Sequence, residues 1–272
     1  MTIPPQVAGI GELYHYERFI PERLASLLRD RRVRCSSPAR LNDPWDCRPW
    51  FDTEFVNNPA ALAEWVTWTL TLDRLDRKVR ASLDEDLKAL VSAIERNPGI
   101  LRRIVANTAR NVFQLFVTHW HIYCLTTRPC STLMWSHYAE NHRGICLEFT
   151  TNGAPFQCAQ KVVYRSEYPA WQPHILLETR IEEALLTKSS DWQYEEEYRI
   201  IARRSNAGGR AGDKVLNSED GHLTFPSGSL KSVIAGCEAD YELITAIVKH
   251  YSPGVPIRRA VRHPNHYTLE IE

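Results

Sequence analysis

The segment from about residue 59 to residue 118 contains almost no glycine or proline, apart from Asn97-Pro98-Gly99. Its apolar residues recur every three or four positions, as they do on one face of a helix. We therefore predict three helices in this segment, and the turn-forming Asn97-Pro98-Gly99 marks the clearest boundary between them. The pattern indicates a helical insertion between two strand-rich halves of the chain.

The residues on both sides of this insertion carry strand-like patterns. Before it, we predict strands at Glu12–Tyr16 and Arg32–Ser37 around a helix at Pro21–Asp30, where proline suits the first turn. After it, we predict helices at Ser131–Glu140, Ile175–Thr187 and Tyr241–Tyr251, and strands at Trp120–Leu125, Gly144–Thr150, Val162–Tyr164, Tyr198–Ile201, Ser232–Gly236, Ile257–Val261 and Tyr267–Ile271. The predicted class is α+β, with mostly antiparallel strands, in a single domain over residues 1–272.

Charge and composition argue against several classes of protein. The chain has 33 Lys and Arg against 33 Asp and Glu, a formal net charge of zero that disfavours a nucleic-acid coat or a polybasic membrane binder. No apolar stretch approaches the ~18–20 residues that cross a bilayer, and Met1–Gly11 lacks the features of a secretory signal. We expect a cytoplasmic protein with no membrane partner. The seven scattered cysteines include no Cys-x-x-Cys pair, which favours reduced thiols.

Three consecutive glutamates stand directly before a predicted strand. If the extended backbone includes them, Glu195, Glu197 and Arg199 share one face and Glu196 lies on the other. Two neighbouring carboxylates favour retention of one proton, unless a cation such as Arg199 or Lys188 compensates. A carboxylate at the mouth of a strand can stabilise an oxocarbenium-like centre in glycosyl transfer. The simpler interpretation of the spacing alone is a solvated acidic face paired with Arg199.

The sequence gives little support for a metal site or for a phosphate-binding motif. His119 and His121 would share a face of a strand, near Cys124 and Cys130 in the sequence, but their spacing matches no usual zinc framework, so ordinary partly buried histidines are the simpler interpretation. We expect no metal. The sequence has no phosphate loop, no G-x-G-x-x-G with a βαβ run to hold it, and no G-x-S-x-G.

The segment Asn42-Asp43-Pro44-Trp45-Asp46 is dense in turn-forming residues. Asn and Asp side chains bond their own backbone in turns, and proline fixes the next backbone step. The composition therefore favours an ordered structural loop over a loop that contacts substrate.

Four short motifs occur in order along the chain. They are Leu13-Tyr14-His15-Tyr16; Leu41-Asn42-Asp43-Pro44-Trp45-Asp46; Met134-Trp135-Ser136-His137-Tyr138-Ala139 followed by His142-Arg143-Gly144; and Lys188 followed by Trp192-x-Tyr194-Glu195-x-Glu197-x-Arg199. Together they resemble a bacterial family of unknown function, number 2971. None of the motifs lies in the helical insertion.

That family has been grouped with the ADP-ribosyltransferase-like fold, so the resemblance implies a split antiparallel β core that binds NAD in a cleft between two small sheets. Classes of that fold are described by three residues, which match here as His15 on the first strand, Tyr138 on a middle helix and Glu197 at the start of a late strand. Glu195 then corresponds to the upstream acid of a Glu-x-Glu pair, which in that superfamily often faces the acceptor. The resemblance also places three further residues around NAD: Ser136, Lys188 and Arg199.

The resemblance implies an enzyme that cleaves the nicotinamide–ribose bond of NAD, without a metal, and passes ADP-ribose to an unknown protein or nucleic-acid acceptor or to water. His15 would donate a hydrogen bond to a ribose hydroxyl, and Tyr138 would stack on the nicotinamide. Glu197 would accept from the ribose 2′-hydroxyl and stabilise the developing positive charge. Toxins and phage-defence effectors are common settings of the superfamily.

Two alternatives stay open at this point. An inert binding or regulatory module could use the same fold. Its recognition surface could include the tryptophans of the chain, which could equally be core residues: Trp45, Trp50, Trp135, Trp171 and Trp192. A nucleic-acid-modifying enzyme could use the arginines of residues 29–34 and Arg102-Arg103 as phosphate contacts. If His15, Tyr138 and Glu197 do not converge on one open cleft, the module is favoured.

Overall fold

In the computed structural model of the chain, nine of the described strands form one curled, mixed sheet that is covered by helices on both faces. The structure describes residues 7–48, 50, 51, 58, 89, 92–94, 96, 97, 99–171, 177–205 and 216–272. Helices and a large sheet together give an α+β fold, as the sequence predicts.

The described elements follow one another in this order. The helices are α1 (Pro21–Asp30), α2 (Gly99–His119), α3 (Thr132–Tyr138), α4 (Leu177–Leu186) and α5 (Tyr241–Tyr251). The strands are β1 (Glu12–Glu17), β2 (Arg32–Arg34), β3 (Trp50–Phe51), β4 (Trp120–Thr126), β5 (Ile145–Thr150), β6 (Gln160–Lys161), β7 (Val163–Arg165), β8 (Ala170–Trp171), β9 (Thr187–Ser189), β10 (Glu197–Arg204), β11 (Leu216–Ser218), β12 (His222–Thr224), β13 (Leu230–Ala235), β14 (Ile257–Arg262) and β15 (Leu269–Ile271). Among the described residues, no helix combines the length and apolar character needed to cross a lipid bilayer.

The large sheet has the order β11-β10-β4-β1-β5-β13-β14-β15, and β6 also pairs with β10. Its neighbours are antiparallel except for β10 with β11 and β13 with β14. The parallel pair β13–β14 follows from the chain path, because α5 carries the chain back to the starting end of the sheet. Mostly antiparallel pairing was the prediction, and it is confirmed.

β1 and β4 join at one point of the sheet and then separate. Their register pairs Tyr14 with Thr126, and the described residues of the two strands form no further register pair. Beyond that point the imidazole of His15 bonds the backbone carbonyl of Cys124 at 2.7 Å, and Ser36, just after β2, forms a bridge to β4. The sheet is therefore split between β1 and β4.

The two faces of the sheet pack against different helices. Along β5, Ile145, Leu147 and Phe149 belong to the larger hydrophobic core, which contains apolar residues of α1 and α5. The intervening Cys146 packs on the opposite face with Trp135 of α3. This alternation is the expected consequence of a strand buried on both faces.

The turn that ends at Gly144 connects α3 to β5 and lies against the end of β1. Glu140, Asn141 and His142 have φ angles of 51°, 54° and 68°, so three successive residues adopt the left-handed conformation. A Cβ atom on Gly144 would clash with the backbone carbonyl of Glu17. Glycine is required at this position, and the close approach holds the end of α3 beside β1.

Helical periodicity predicts the helices with little error. The bounds of α1 and α5 are confirmed, and the hydroxyl of Ser131 accepts from the Met134 amide at 3.4 Å as the predicted cap of α3. The third helix of the insertion is confirmed as α2. Most of the first two predicted helices and the Gly-rich loop at 206–213 lie outside the described residues, as do the first residues of the predicted helix 175–187.

Candidate active site

A cleft of about 380 Å³ opens where β1 and β4 separate. Residues from both strands line it, together with the end of α3, the loop that follows β2 and the segment before β10. The lining includes five residues that the motifs single out: His15, Tyr138, Lys188, Glu195 and Glu197. The matched residues therefore converge on one open cleft.

Arg199 of β10 is completely buried next to this cleft. Its Nε and Nη2 donate to the two carboxylate oxygens of Glu197 at 2.8 and 3.0 Å. Its Nη1 and Nη2 donate to the two oxygens of Asp46 at 2.9 and 2.6 Å, and Nη1 also donates to the Leu185 carbonyl at 2.7 Å. Two-point pairing of this kind is the strongest geometry between arginine and a carboxylate.

Lys188 of β9 connects the two glutamates of the cleft. Its Nζ donates to Glu195 Oε2 at 2.5 Å and to Glu197 Oε2 at 3.1 Å. With Arg199, the cluster contains two cations and three carboxylates, those of Glu195, Glu197 and Asp46. The carboxylates outnumber the cations, which favours protonation of one of them.

Tyr138, the last residue of α3, links this cluster to the outer loop. Its hydroxyl donates to Glu195 Oε1 at 2.5 Å and accepts from Asn42 Nδ2 at 3.2 Å. Burial and then the charge of Glu195 raise the pKa of Tyr138, so its hydroxyl keeps its proton and acts as a donor to Glu195. Tyr138 is also part of the cleft lining.

The two glutamates have pKa values shifted in opposite directions. Glu195 is 2% exposed, and burial raises the pKa of Glu195 despite the opposing effect of Lys188. Glu197 is 3% exposed, and burial alone would raise its pKa, but Arg199 and Lys188 together lower the pKa of Glu197 to about 2. Glu197 is therefore a fixed negative charge, and Glu195 is the carboxyl group suited to exchange a proton.

Acid should destabilise the fold through Glu197. Its pKa is about 2 in the folded chain against an ordinary 4.5, so its contribution to stability is complete above about 4.5 and is lost as pH falls toward 2. Glu195 acts oppositely, because a raised pKa lets the folded chain bind the proton more readily than the unfolded chain does. We expect Tm to fall from pH 4.5 to pH 2 and the fall to be smaller in Glu197→Gln. Thermal melts at stepped pH test this, and Glu196→Gln is the control that should keep the parent slope.

The backbone through the three glutamates is not a continuous strand. Residues Ser190–Glu195 form a 3₁₀ helix, Glu196 is left-handed with φ 45°, and β10 begins at Glu197. The predicted strand register is therefore wrong at Glu195, because a helical turn and a left-handed residue bring it to Lys188 instead. Glu196 leaves the cleft and pairs with Arg128 at 2.9 Å. The interpretation as a solvated acidic face holds for Glu196 and is wrong for its two neighbours.

His15 contributes to the β1 side of the cleft. Its Nδ1 lies 2.7 Å from the Cys124 carbonyl, which can only accept, so Nδ1 carries the proton. The ring stacks on Tyr123 with 4.3 Å between centroids. Burial lowers the pKa of His15 to about 4, so at neutral pH its Nε2 is an unprotonated acceptor. The geometry thus reverses the hydrogen-bonding role expected of His15, because its free Nε2 accepts and does not donate.

Two of the residues expected around NAD lie outside the cleft lining, namely Ser136 and Arg199. The Ser136 hydroxyl is 3.2 Å from His142 Nε2, within the left-handed turn after α3. Arg199 is enclosed by its two carboxylate partners. Neither side chain is part of the cleft lining, and each bonds groups next to it.

The loop Asn42-Asp43-Pro44-Trp45-Asp46 serves both the fold and the cleft. Asp43 Oδ1 accepts from the Trp45 amide at 2.9 Å, which confirms the predicted structural turn. Asn42 and Asp46 line the cleft, where they hold Tyr138 and Arg199. The loop therefore places two of its polar side chains in the candidate site.

Asp43→Ala should lower Tm by a few degrees. It removes a buried acceptor from the Trp45 amide, and one such bond contributes about 1 kcal/mol, or roughly 2–4 °C for a chain of this size. Differential scanning fluorimetry measures the shift, with Asp191→Ala, an exposed carboxylate nearby, as the matched control. An unchanged Tm for Asp43→Ala would show that the turn does not depend on this bond.

Comparison with known families gives one match within the chain. Residues 134–200 match the model of a family described as Protein of unknown function (DUF2971). The matched segment runs from α3 into β10, so it contains Tyr138, Lys188, Glu195 and Glu197, whereas His15 precedes it. No curated protein and no solved structure matches the chain. The match supports the resemblance to the unknown-function family, for which no activity is described.

Three basic residues of the cleft are absent from the sequence-based predictions. Arg18, Arg23 and Arg40 are all part of its lining. Arg18 could have been found from its place two residues after the His15 motif, and Arg40 from its place directly before the motif that begins at Leu41, whereas Arg23 lies further on, in α1. Guanidinium groups beside a cleft suit an anionic ligand, above all one with phosphate groups.

His119 and His121 do not share a strand face, because His119 is the last residue of α2. Its Nδ1 is 2.8 Å from the Leu115 carbonyl. His121 accepts from Arg204 Nε at 3.0 Å through Nε2, so its Nδ1 donates to Ser218 Oγ at 2.8 Å. The part of the chain that the structure describes groups no three His, Cys, Asp or Glu side chains for a metal ion, and all seven cysteines are free thiols.

Proposed function

We propose that this chain is an ADP-ribosyltransferase-like enzyme that cleaves the nicotinamide–ribose bond of NAD and passes ADP-ribose to an acceptor. The observation that carries the proposal is the convergence of His15, Tyr138, Glu195 and Glu197 on the cleft between β1 and β4. The split of the sheet at this cleft supports the finer assignment of an ADP-ribosyltransferase-like β core.

The chemistry makes use of the two differently charged glutamates. When the bond between ribose C1′ and the pyridinium nitrogen breaks, its electron pair leaves with nicotinamide, which departs neutral, and C1′ gains oxocarbenium character. Glu197 supplies a fixed negative charge, which Arg199 and Lys188 hold in place before the reaction starts. The carboxylate interacts more strongly with the positive charge of the transition state than with the ground state, and this difference accelerates cleavage.

Glu195 would act on the acceptor. An acceptor hydroxyl or amine, or water, attacks C1′ and must lose a proton as the new bond forms. The carboxylate of Glu195 takes that proton, which its raised pKa favours. Tyr138 and Lys188 hold Glu195 in position for this transfer.

The remaining lining suits the rest of the nucleotide. The Tyr138 ring can stack on the flat nicotinamide, and His15 Nε2 can accept from a ribose hydroxyl. Arg18, Arg23 and Arg40 line the same cleft and provide guanidinium groups for the diphosphate.

Release of nicotinamide tests the proposal directly. The purified chain is incubated with NAD, with and without a mixture of protein and nucleic-acid acceptors, and free nicotinamide is measured by chromatography. We expect release that saturates with NAD and is lost in the double variant Glu195→Gln, Glu197→Gln. No release with any acceptor, together with no NAD binding by calorimetry, would refute the enzyme.

A non-enzymatic nucleotide-binding module is the second candidate. It is favoured by the complete bonding of the glutamates, since both carboxylates are almost fully buried and engaged by cations or by Tyr138. In this case calorimetry would show NAD binding without any release of nicotinamide.

A further inference from the structure

Two buried polar atoms beside the cleft have no hydrogen-bond partner among the described residues. They are Oε1 of Glu17 and the hydroxyl of Tyr123, in side chains that are 6% and 2% exposed. An unpaired buried polar group is unfavourable, because it has lost its hydrogen bonds to water and gained none in their place. Groups of this kind usually mark a site that a water molecule or a ligand completes.

Both side chains line a second pocket, of about 390 Å³. The pocket shares Glu17 and Arg23 with the cleft, so the two cavities adjoin along this pair. Tyr123 also connects them, because its ring stacks on His15. Residues of α1, β2 and β12 complete the lining of the second pocket: Ile20, Glu22, Ser26, Leu27, Arg32, Arg34 and His222.

The polar groups of this pocket divide into two kinds. Glu17 Oε2 is paired with Arg23 at 2.9 Å, so Oε1 is an acceptor without a partner, and the Tyr123 hydroxyl is a second unpartnered group in the lining of the same pocket. Arg23, Arg32 and Arg34 supply guanidinium groups, and of these Arg32 also approaches the carboxylate of Asp30 at 3.6 Å. An acceptor and a hydroxyl next to several guanidinium groups suit a ligand that carries both sugar hydroxyls and a phosphate.

We propose that this pocket is a second subsite that binds a ribose phosphate. Glu17 and Tyr123 bond the ribose hydroxyls, and Arg23 and Arg34 bind the phosphate. The assignment to NAD rests on the proposed function: the cleft takes the nicotinamide half and the adjoining pocket, of nearly equal volume, takes the adenosine half. The two volumes together lie within the range of about 300–1,000 Å³ that is usual for ligand sites.

Tyr123→Phe tests the subsite, because it removes one oxygen and leaves the ring stacked on His15. AMP is the probe, titrated by calorimetry. We expect Kd for AMP to rise about five- to tenfold, the effect of one lost hydrogen bond. Tm should stay the same or rise, since the variant also removes an unpaired buried hydroxyl. The control is Tyr198→Phe, a buried core tyrosine that lines neither cavity, and it should bind AMP as the parent does.

A second variant tests the proposed contact between Arg34 and the phosphate. Arg34 is exposed and lies at the end of the short strand β2, so Arg34→Gln should fold normally. We expect this variant to have a higher Kd for AMP and an unchanged Kd for adenosine. Equal loss for both probes would contradict the assignment of Arg34 to the phosphate.

The outcomes separate the subsite from the proposed enzyme. Parent-like AMP affinity in Tyr123→Phe, or no AMP binding by the parent, overturns the subsite and leaves water as the occupant of the pocket. Nicotinamide release with an unchanged KM in Tyr123→Phe would then still support the enzyme. AMP binding that weakens in Tyr123→Phe without any nicotinamide release supports the subsite and favours the non-enzymatic module over the enzyme.

Discussion

Arg199→Met should destabilise the chain by about 3–5 kcal/mol, which corresponds to a fall in Tm on the order of 10 °C. Arg199 pairs with both oxygens of Glu197 and both oxygens of Asp46, and none of these side chains has access to water to replace it. Removal of the guanidinium leaves two buried carboxylates without their main cation. Urea unfolding of the parent and the variant measures the difference.

Two further variants locate the cause of this effect. Arg128→Met removes an exposed pair with Glu196 and should change stability little, because surface ion pairs contribute little. Arg199→Lys keeps the charge but cannot bind two carboxylates edge-on, so its stability should lie between the parent and Arg199→Met. If Arg199→Met unfolds at the same urea concentration as Arg128→Met, the buried network does not support the fold.

Local patterns explain why the helices could be predicted from the sequence. The apolar face of α1 recurs every three or four residues and the helix begins at Pro21, so its bounds depend only on neighbours in the chain. The same holds for α5, which Asp240 caps through the Leu243 amide. Strand pairing is not local. Nothing near β1 in the sequence indicates that it lies between β4 and β5 and separates from β4 after one register pair.

In the candidate site, too, contacts between residues close in the sequence could be predicted and contacts between distant residues could not. The closely spaced residues Lys188, Glu195 and Glu197 could be recognised from their motif, and they do meet. Asp46 and Arg199 are 153 positions apart, so their pairing could not be inferred from spacing. The unpaired atoms of Glu17 and Tyr123 depend on how two strands diverge, which sequence periodicity does not encode.

The two carboxylates of Glu195 and Glu197 lie together, as expected, but the backbone conformation that brings them together is a 3₁₀ helix and not the predicted strand. A strand through Glu195 was expected to bring it onto the same face as Glu197. The observed backbone turns at Glu196 instead, and the two carboxylates still meet because Lys188 binds both. Both the expected strand and the observed turn direct the Glu196 side chain away from the side chains of Glu195 and Glu197.

Glu197→Gln should reduce nicotinamide release by about 10²–10³-fold, the usual effect of removing one well-placed group that stabilises transition-state charge. A neutral amide cannot balance the ribosyl cation, although it occupies nearly the same volume. Glu195→Gln should leave cleavage of NAD with water largely intact, because an oxocarbenium-like centre captures water without much help from a base. Transfer to an acceptor should fall in that variant, since the acceptor loses the group that takes its proton. Nicotinamide release and acceptor labelling are measured side by side.

Glu196→Gln is the matched control within the same three residues. Its side chain is exposed and bonds Thr127 and Arg128 outside the cleft, so both assays should match the parent. Because Glu197 also supports the fold, calorimetry with AMP confirms for each variant that the adjoining nucleotide pocket is intact before the rates are compared. Loss of release in Glu196→Gln, or equal loss in all three variants, would contradict the assignment of charge to Glu197 and of the proton to Glu195. A Glu197→Gln variant that binds AMP normally but no longer releases nicotinamide would locate the defect in bond cleavage itself.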